Sequence, residues 1–297
     1  MTAGRDPAST ASTAGRPDLR HLLQRRAALL ARIRAFFAER GATEVDAPLR
    51  APAVVSEPHI RALACEGGWL LPSPEYWLKR LLADGSGDVY QLAHAFRGGE
   101  SGRHHAEEFL LCEWYRLGRD EHHVAAELDA LLQVCDAPAV AGRLRYADAF
   151  RAEAGIDPLA PASALAEAAV AHGLAPADAP EHADAGYWRD LLMGLCVQPR
   201  LGHAGPVLLT GYPAIDSPLA CLQQDDPRWS TRFELFWCGV ELANGCRERR
   251  GADLPDGSGL PEDFPECAGV ALGVDRLLML LLGADDIAAA MPIPRAQ

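Results

Sequence analysis

The run from Arg232 to Glu248 limits the possible folds of this chain more than any other stretch. It reads Arg-Phe-Glu-Leu-Phe-Trp-Cys-Gly-Val-Glu-Leu-Ala-Asn-Gly-Cys-Arg-Glu. Its aromatic and branched residues suit a strand, yet it carries three carboxylates and an amide. Cys238-Gly239 in the middle fits a two-residue hairpin turn. Trp237 then faces Val240, and Phe236 faces Glu241. Glu234 falls on the same sheet face, diagonal to Glu241 and within reach of it. Two carboxylates so placed repel unless something cationic lies between them. A hard divalent ion such as Mg2+, shared with substrate phosphates, meets that demand. A solvated polar face on an ordinary strand pair fits the same pattern.

Two further stretches carry polar residues in unusual settings. Val89–Arg97 and Glu108–Leu117 read as strands around a loop containing Gly98, Gly99 and Gly102. Strand parity puts Gln91 and Arg97 on one face, and Phe109, Glu113 and Tyr115 on one face of the return strand. Arg97 is placed to fork onto a phosphate, and Phe109 to stack on a purine. A surface hairpin with a core phenylalanine has the same signature. The neighbours His104 and His105 do not suggest a metal site, because adjacent residues point different ways. In Gly269–Leu277 a short strand runs into a helix with Arg276 in its first turn. That is the wrong end of the helix dipole for a cation, and it hints at an anion to be met.

Around these lies an ordinary globular pattern. Residues 1–16 lack apolar periodicity and read as a disordered tail. Residues 17–297 read as one domain. Leu19, Leu22, Leu23, Leu30, Ile33, Phe36 and Phe37 recur at helical spacing up to Gly41. Val45–Leu49 looks extended, and Tyr76–Ala83 helical. Residues 121–197 read as alanine- and leucine-rich helices broken at prolines. Val207–Thr210, Leu219–Leu222 and Gly269–Leu272 read as strands, and Arg249–Pro265 as a loop. The net charge of −13 disfavours a nucleic-acid embrace, which needs a basic face. Eight cysteines without a CxxC pair suit reduced thiols in the cytoplasm rather than zinc. No run approaches the length that spans a bilayer, so no membrane partner is expected.

In this order the three stretches resemble the catalytic core of the class II aminoacyl-tRNA synthetases, in the lysyl branch. The Pro48 region resembles motif 1, Phe96-Arg97 through Phe109 motif 2, and Gly273-Val274-Asp275-Arg276 motif 3. Pro72-Ser73-Pro74-Glu75-Tyr76, Glu113-Trp114-Tyr115 and Gly239–Gly245 resemble signature stretches of the small paralogues that ligate lysine to elongation factor P. The resemblance runs from about residue 19 to 285. It implies an α+β fold with an antiparallel sheet flanked by helices, a homodimer, and ATP with Mg2+.

Carried over by position, it implies that Arg97 holds the α-phosphate of ATP and that Arg103 and Arg276 meet the γ-phosphate. Gly99, His105, Ala106, Phe109, Leu242 and Gly273 would border the nucleotide. Glu234 and Glu241 would bind magnesium. Ser73, Glu75, Tyr115, Asn244, Glu248 and Ala271 would line the pocket for lysine or (R)-β-lysine, with Glu75 and Glu248 for its ammonium. Ala271, where lysyl-tRNA synthetases have glycine, goes with a preference for (R)-β-lysine. Three departures stand out. Gly99 replaces the glutamate that reads the adenine amine, and Glu100 beside it would point the other way on a strand. Arg249-Arg250 follows Glu248, and the segment before motif 3 is short. A glutamate at position 99 would be expected to tighten ATP binding.

Three functions fit. The first is ligation of lysine or (R)-β-lysine to elongation factor P through an aminoacyl-adenylate. The second is a tRNA synthetase. It is disfavoured by charge and by the short tail before the first helix, which leaves no room for an anticodon barrel. The third is a non-catalytic paralogue that binds lysine or ATP.

Overall fold

The computed structural model describes residues 18–52, 60–174, 183–250 and 264–293. The expected tail at 1–16 and most of the expected loop at 249–265 lie outside the described residues.

The chain opens with helix α1 (Leu19–Glu39), whose Leu22, Leu29, Ile33, Phe36 and Phe37 are buried at intervals of three, four and seven residues. That spacing makes one apolar stripe. Short strands β1 (Thr43–Glu44), β2 (Arg50–Ala51), β3 (Leu63–Cys65) and β4 (Gly68–Leu70) follow, then helix α2 (Glu75–Ala83). Strands β5 (Val89–Phe96) and β6 (Glu108–Leu117) lead into helix α3 (Glu121–Val134). Strand β7 (Gly142–Arg145) precedes helices α4 (Tyr146–Ala154), α5 (Ala162–Ala171) and α6 (Ala185–Leu192). The chain then forms β8 (Val207–Thr210), β9 (Phe233–Trp237), β10 (Val240–Arg247), β11 (Cys267–Gly273) and helix α7 (Val274–Leu281).

Eight strands form one sheet in the order β1-β5-β6-β11-β10-β9-β8-β7, and β2-β4-β3 form a small second sheet. The six central strands pair antiparallel, while the outer pairs β1·β5 and β7·β8 are parallel. The C-terminal strand β11 inserts between the β5–β6 and β9–β10 hairpins and joins them. One face of the sheet, through Tyr90, Trp114, Leu235, Leu242 and Val270, packs against α1, α3 and α7. A second core gathers α4, α5 and α6 around Phe150, Leu209 and Phe236.

Two expectations need correcting. Leu219–Leu222 is not a strand. Cys221 donates to the Arg247 carbonyl and accepts from Thr231 N–H, so the segment bridges two partners and forms only isolated bridges at Ala220–Glu248 and Leu222–Ser230. In the region read as helices throughout, Gly142–Arg145 instead pairs parallel to β8. Val45–Leu49 runs between β1 and β2 outside both, with Pro48 unable to donate to a ladder.

Helix α7 is pinned at its start by Asp275, which is buried. Its Oδ2 accepts from Leu110 N–H at 2.7 Å, and its Oδ1 pairs with Arg26 of α1. One carboxylate thus ties α7 to β6 and α1. Asp275→Ala leaves Leu110 N–H unpaired and strands most of the charge of Arg26, which keeps only the Ala290 carbonyl at 3.3 Å. Removing one partner of such a pair costs about 3–5 kcal/mol, to be read as a lower urea midpoint. A midpoint equal to wild type would show that the pin is dispensable.

Candidate active site

The site face of the sheet depends on one irregularity. Beyond the Cys238-Gly239 turn, where both residues have positive φ, the hairpin pairs Trp237 with Val240 and Phe236 with Glu241. The register then shifts, so Leu235 faces Ala243 and Glu234 faces Asn244. One extra residue in β10 has switched the sides on which the following side chains lie. Val240, Leu242 and Ala243 are all buried in the α1/α3/α7 core. Asn244 therefore shares the opposite face with Glu241, and Cys246 follows by alternation.

The register lines up a row across five strands: Gln91, Glu113, Ala271, Asn244 and Glu234 stand directly opposite one another. At the usual strand spacing it is about 19 Å long. Gln91 anchors one end by donating to the Ala47 carbonyl at 3.0 Å. In the next row Tyr115 faces Gly269, which faces Cys246. A Cβ on Gly269 would lie 2.4 Å from the Tyr115 ring, so only glycine lets that ring lie across the strand.

At one end, α2 closes over this face. Ser73 Oγ accepts from Glu75 N–H at 3.3 Å at the start of the helix. A pocket opens there, lined by Ile60, Leu71, Pro72, Ser73, Glu75, Tyr76 and Arg97. Behind it lies Lys79, a residue that the sequence reading passed over and that is 1% exposed. Its Nζ donates to Glu75 Oε1 at 2.5 Å and to Glu248 Oε2 at 2.7 Å. In sequence, Glu75 and Lys79 look like an ordinary surface i,i+4 pair, and only the tertiary fold shows Lys79 buried and Glu75 mostly covered. Burial opposes the charge on Lys79, but Glu248 and Glu75 outweigh it and hold the ammonium well above its usual range. Tyr115 donates to Glu113 Oε1 at 2.7 Å, while Glu113 Oε2 is buried with no partner. Burial, then the charge of Glu75, pushes the Glu113 carboxyl up to about 8. Burial also raises Glu248, against the pull of Lys79. The thiol of Cys246 donates to Glu248 Oε1 at 3.6 Å.

The other end is built from arginines. Arg97 donates to the Pro72 carbonyl at 3.3 Å and stands 5.1 Å from the centre of the Phe109 ring. The chain turns at Gly98-Gly99, so strand parity does not extend to Glu100. Instead of pointing away, Glu100 comes to 3.7 Å from Arg97. Gly99 has φ +77°, and a Cβ there would lie 3.0 Å from the Arg61 guanidinium. Its N–H donates to Glu107 at 2.7 Å. A glutamate at 99 is therefore strained, and the expected gain in ATP binding from that change is withdrawn.

Arg276 donates to the His104 and Glu241 carbonyls, both at 3.0 Å, and so ties the glycine loop to β10. Burial, then Arg276, holds His105 below its usual range, which favours a neutral ring. Gly273 lies under Arg276, and Ala106 packs on the core edge. Two expected nucleotide contacts sit elsewhere. The Arg103 side chain is exposed and lies 3.6 Å from Asp285. Leu242 faces the core, so only its backbone can reach this side. Arg249 turns to the Ala220 carbonyl at 2.7 Å, away from the Glu248 carboxylate.

Glu234 is buried between Tyr212 and Arg232, each donating at 2.5 Å. Burial, then the charge of Glu241, pushes it up to about 7. Two hard-oxygen groups in mutual repulsion suit Mg2+ shared with phosphates, so the residues fit that ion. No cluster of three or more metal-ligating side chains occurs among the described residues. All eight cysteines are free thiols, four of them buried. No described helix is long and apolar enough to cross a membrane.

A model of the class II tRNA synthetases (D, K and N) matches residues 10–254. The elongation factor P–(R)-β-lysine ligase of Vibrio cholerae is 40% identical over 311 aligned positions, covering 92% of this chain and 96% of the relative. The chain belongs to this ligase family of class II synthetases. The ligases of that name from Yersinia enterocolitica and Erwinia tasmaniensis are 38% and 39% identical, covering 92% and 89% of this chain and 95% and 92% of theirs. The family's fold, an α+β core with helices flanking a mainly antiparallel sheet, is the one described above, and its class uses ATP.

The raised carboxylates set a pH dependence. Folded Glu113 holds a proton up to about pH 8, whereas an unfolded glutamate is ionised above about 4.3. Between those values the native state binds the extra proton, so stability falls as pH rises. Glu234 acts in the same sense up to about 7. The urea midpoint of the protein without ligands should decline from about pH 5 to about pH 8. A midpoint that rises across that window would show these carboxyls to be ionised in the native state.

Proposed function

We propose that the chain uses ATP to convert (R)-β-lysine or lysine into its adenylate and passes the aminoacyl group to a lysine side chain of elongation factor P. The relatives named as elongation factor P–(R)-β-lysine ligases support this reading. The observation that carries it is a single site that joins the buried acids around Lys79 to Arg97 at the neighbouring pocket and to Arg276 on the glycine loop. Ala271 and Asn244 span the row between Glu113 and Glu234.

The chemistry needs no protein nucleophile. The amino-acid carboxylate attacks the α-phosphorus in line, a P–O bond forms, and the bond to pyrophosphate breaks. Positioning and charge stabilisation do the work. Arg97 holds the α-phosphate and Phe109 stacks on the adenine beside it. Arg276 meets the γ-phosphate, with exposed Arg103 swinging from Asp285 to join it. His105, Ala106, Gly99, Gly273 and the Leu242 backbone border the nucleotide, where Glu107, accepting from Gly99 N–H at 2.7 Å, and Glu100, 3.7 Å from Arg97, are the carboxylates beside the position Gly99 leaves without one. Bound Mg2+, held by Glu241 and Glu234, would neutralise phosphate charge. Ser73, Glu75, Glu113, Tyr115, Asn244 and Glu248 hold the amino acid. The Ala271 methyl narrows the floor where the α- and β-amino positions of the two substrates differ. An amine of elongation factor P then attacks the activated carbonyl, and AMP leaves. The protein acts as a cytoplasmic homodimer through α1 and the Pro48 segment, and without tRNA.

Intact-mass measurement of elongation factor P tests this after incubation with the protein, ATP, Mg2+ and either amino acid. One added lysyl group is expected. Arg97→Ala should cut the initial rate about 10²–10³-fold, the cost of losing a preorganised charge contact to the transition state. No mass gain with either amino acid would favour a non-catalytic binding protein. Labelling at the normal rate by Arg97→Ala would remove Arg97 from the α-phosphate.

A further inference from the structure

The cluster behind the pocket contains more charge than its proposed substrate explains, and of the opposite kind. Three carboxylates interact there: Glu75 from α2, which also lines the pocket, Glu113 from β6 and Glu248 just past β10. Glu248 is 5% exposed and Glu113 3%. Tyr115 and Cys246 also face them, and both are held neutral, mainly by burial. Arg97 stands at the pocket mouth. The buried cation among them is Lys79, bonded to Glu75 and Glu248 and 5.9 Å from the centre of the Tyr115 ring. An internal ammonium already occupies the two carboxylates expected to receive the ammonium of the substrate.

Resting on the reading above, we propose that Lys79 is a positioning residue for amino-acid recognition. Its ammonium fixes the Glu75 and Glu248 carboxylates in one geometry and cancels one of the three negative charges that the cluster carries once Glu113 ionises on binding. The two that remain match an amino acid with two ammonium groups. Buried like charges without a counter-ion are costly, and a mobile pair of carboxylates would have to be ordered at each binding event. A lysine 1% exposed, with its ammonium 5.9 Å from the centre of the Tyr115 ring, supplies the counter-ion in advance. Glu113, with its unpartnered Oε2, is the acid left for the incoming ligand. Without a ligand it sheds its surplus charge by keeping a proton. A monoamino acid leaves one charge unmatched, so the count itself discriminates against norleucine, which lacks the side-chain ammonium.

Titration calorimetry with lysine, (R)-β-lysine and norleucine tests the proposal on wild type and Lys79→Met, which keeps the length and loses the charge. Wild type should bind a diamino acid and not norleucine. Lys79→Met should bind it about tenfold more weakly near pH 7. Near pH 8.5 it should recover most of the deficit, because Glu248, raised by burial against the pull of Lys79, then ionises without help. Affinity for a non-hydrolysable ATP analogue should stay the same, which also reports that the variant is folded. Diamino-acid affinity unchanged near pH 7, a deficit equal at both pH values, or no diamino-acid binding by wild type would overturn the proposal. If Lys79→Met fails to bind the ATP analogue, Lys79→Ala with added propylammonium replaces it. Restored lysine binding supports Lys79 as the counter-ion, and no restoration overturns it. Labelling of elongation factor P separates the two claims. Normal labelling with Lys79-independent binding defeats only the role of Lys79. Lys79-dependent binding with no labelling defeats only the ligase reading.

Discussion

The site depends on the single extra residue in β10. Strand side chains alternate strictly, so a ladder without the shift between Glu241 and Ala243 would turn Asn244, Cys246 and Glu248 toward α1 and α3. The core there is built from apolar side chains such as Leu235, Leu242 and Val270. The bulge keeps Leu242 and Ala243 both in the core. It thereby allows Glu241, of the proposed metal pair, and Asn244, of the proposed amino-acid row, to share one face at a spacing of three. Burial of the apolar pair fixes the register, and the register sets which polar groups meet the substrate.

The two ends of that face handle charge differently. At the nucleotide end, Arg276 and Arg97 are held by backbone carbonyls, at His104, Glu241 and Pro72. Those contacts orient the guanidinium groups, and Glu100, 3.7 Å from Arg97, offsets only part of the charge proposed to meet phosphates. At the amino-acid end, acids outnumber bases and are buried, and Lys79 offsets part of the excess. Desolvation makes each remaining charge more demanding than it would be in water. An excess of that kind costs stability and provides recognition, consistent with strained or frustrated groups gathering at functional sites.

Much of the frame was legible in the sequence. The turn at Cys238-Gly239, strands β5, β6, β8 and β11, and helices α1, α2 and α7 all follow from turn chemistry and hydrophobic period. The facing of Gln91, Glu113 and Phe109 followed from parity. Parity failed where the chain left the ladder. Beyond Phe96 the glycines turn Glu100 back toward Arg97, and in β10 the bulge is silent in composition. Short parallel β7 was hidden because four residues carry too little pattern against alanine-rich neighbours. Leu219–Leu222 has strand composition, but its hydrogen bonds go to two different segments. Lys79 was invisible for a different reason. An i,i+4 acid–base pair is among the commonest surface features, and nothing local reveals that Glu248, 169 residues away, completes it.

The central claim is that one sheet face joins a diamino acid to the α-phosphate of ATP. The most direct measurement is amino-acid-dependent exchange of labelled pyrophosphate into ATP, with lysine, (R)-β-lysine and norleucine compared at equal concentration. Exchange with at least one diamino acid, and none with norleucine, is the predicted result. Exchange with norleucine at a comparable rate, or none with any of the three in the presence of Mg2+, would contradict the account.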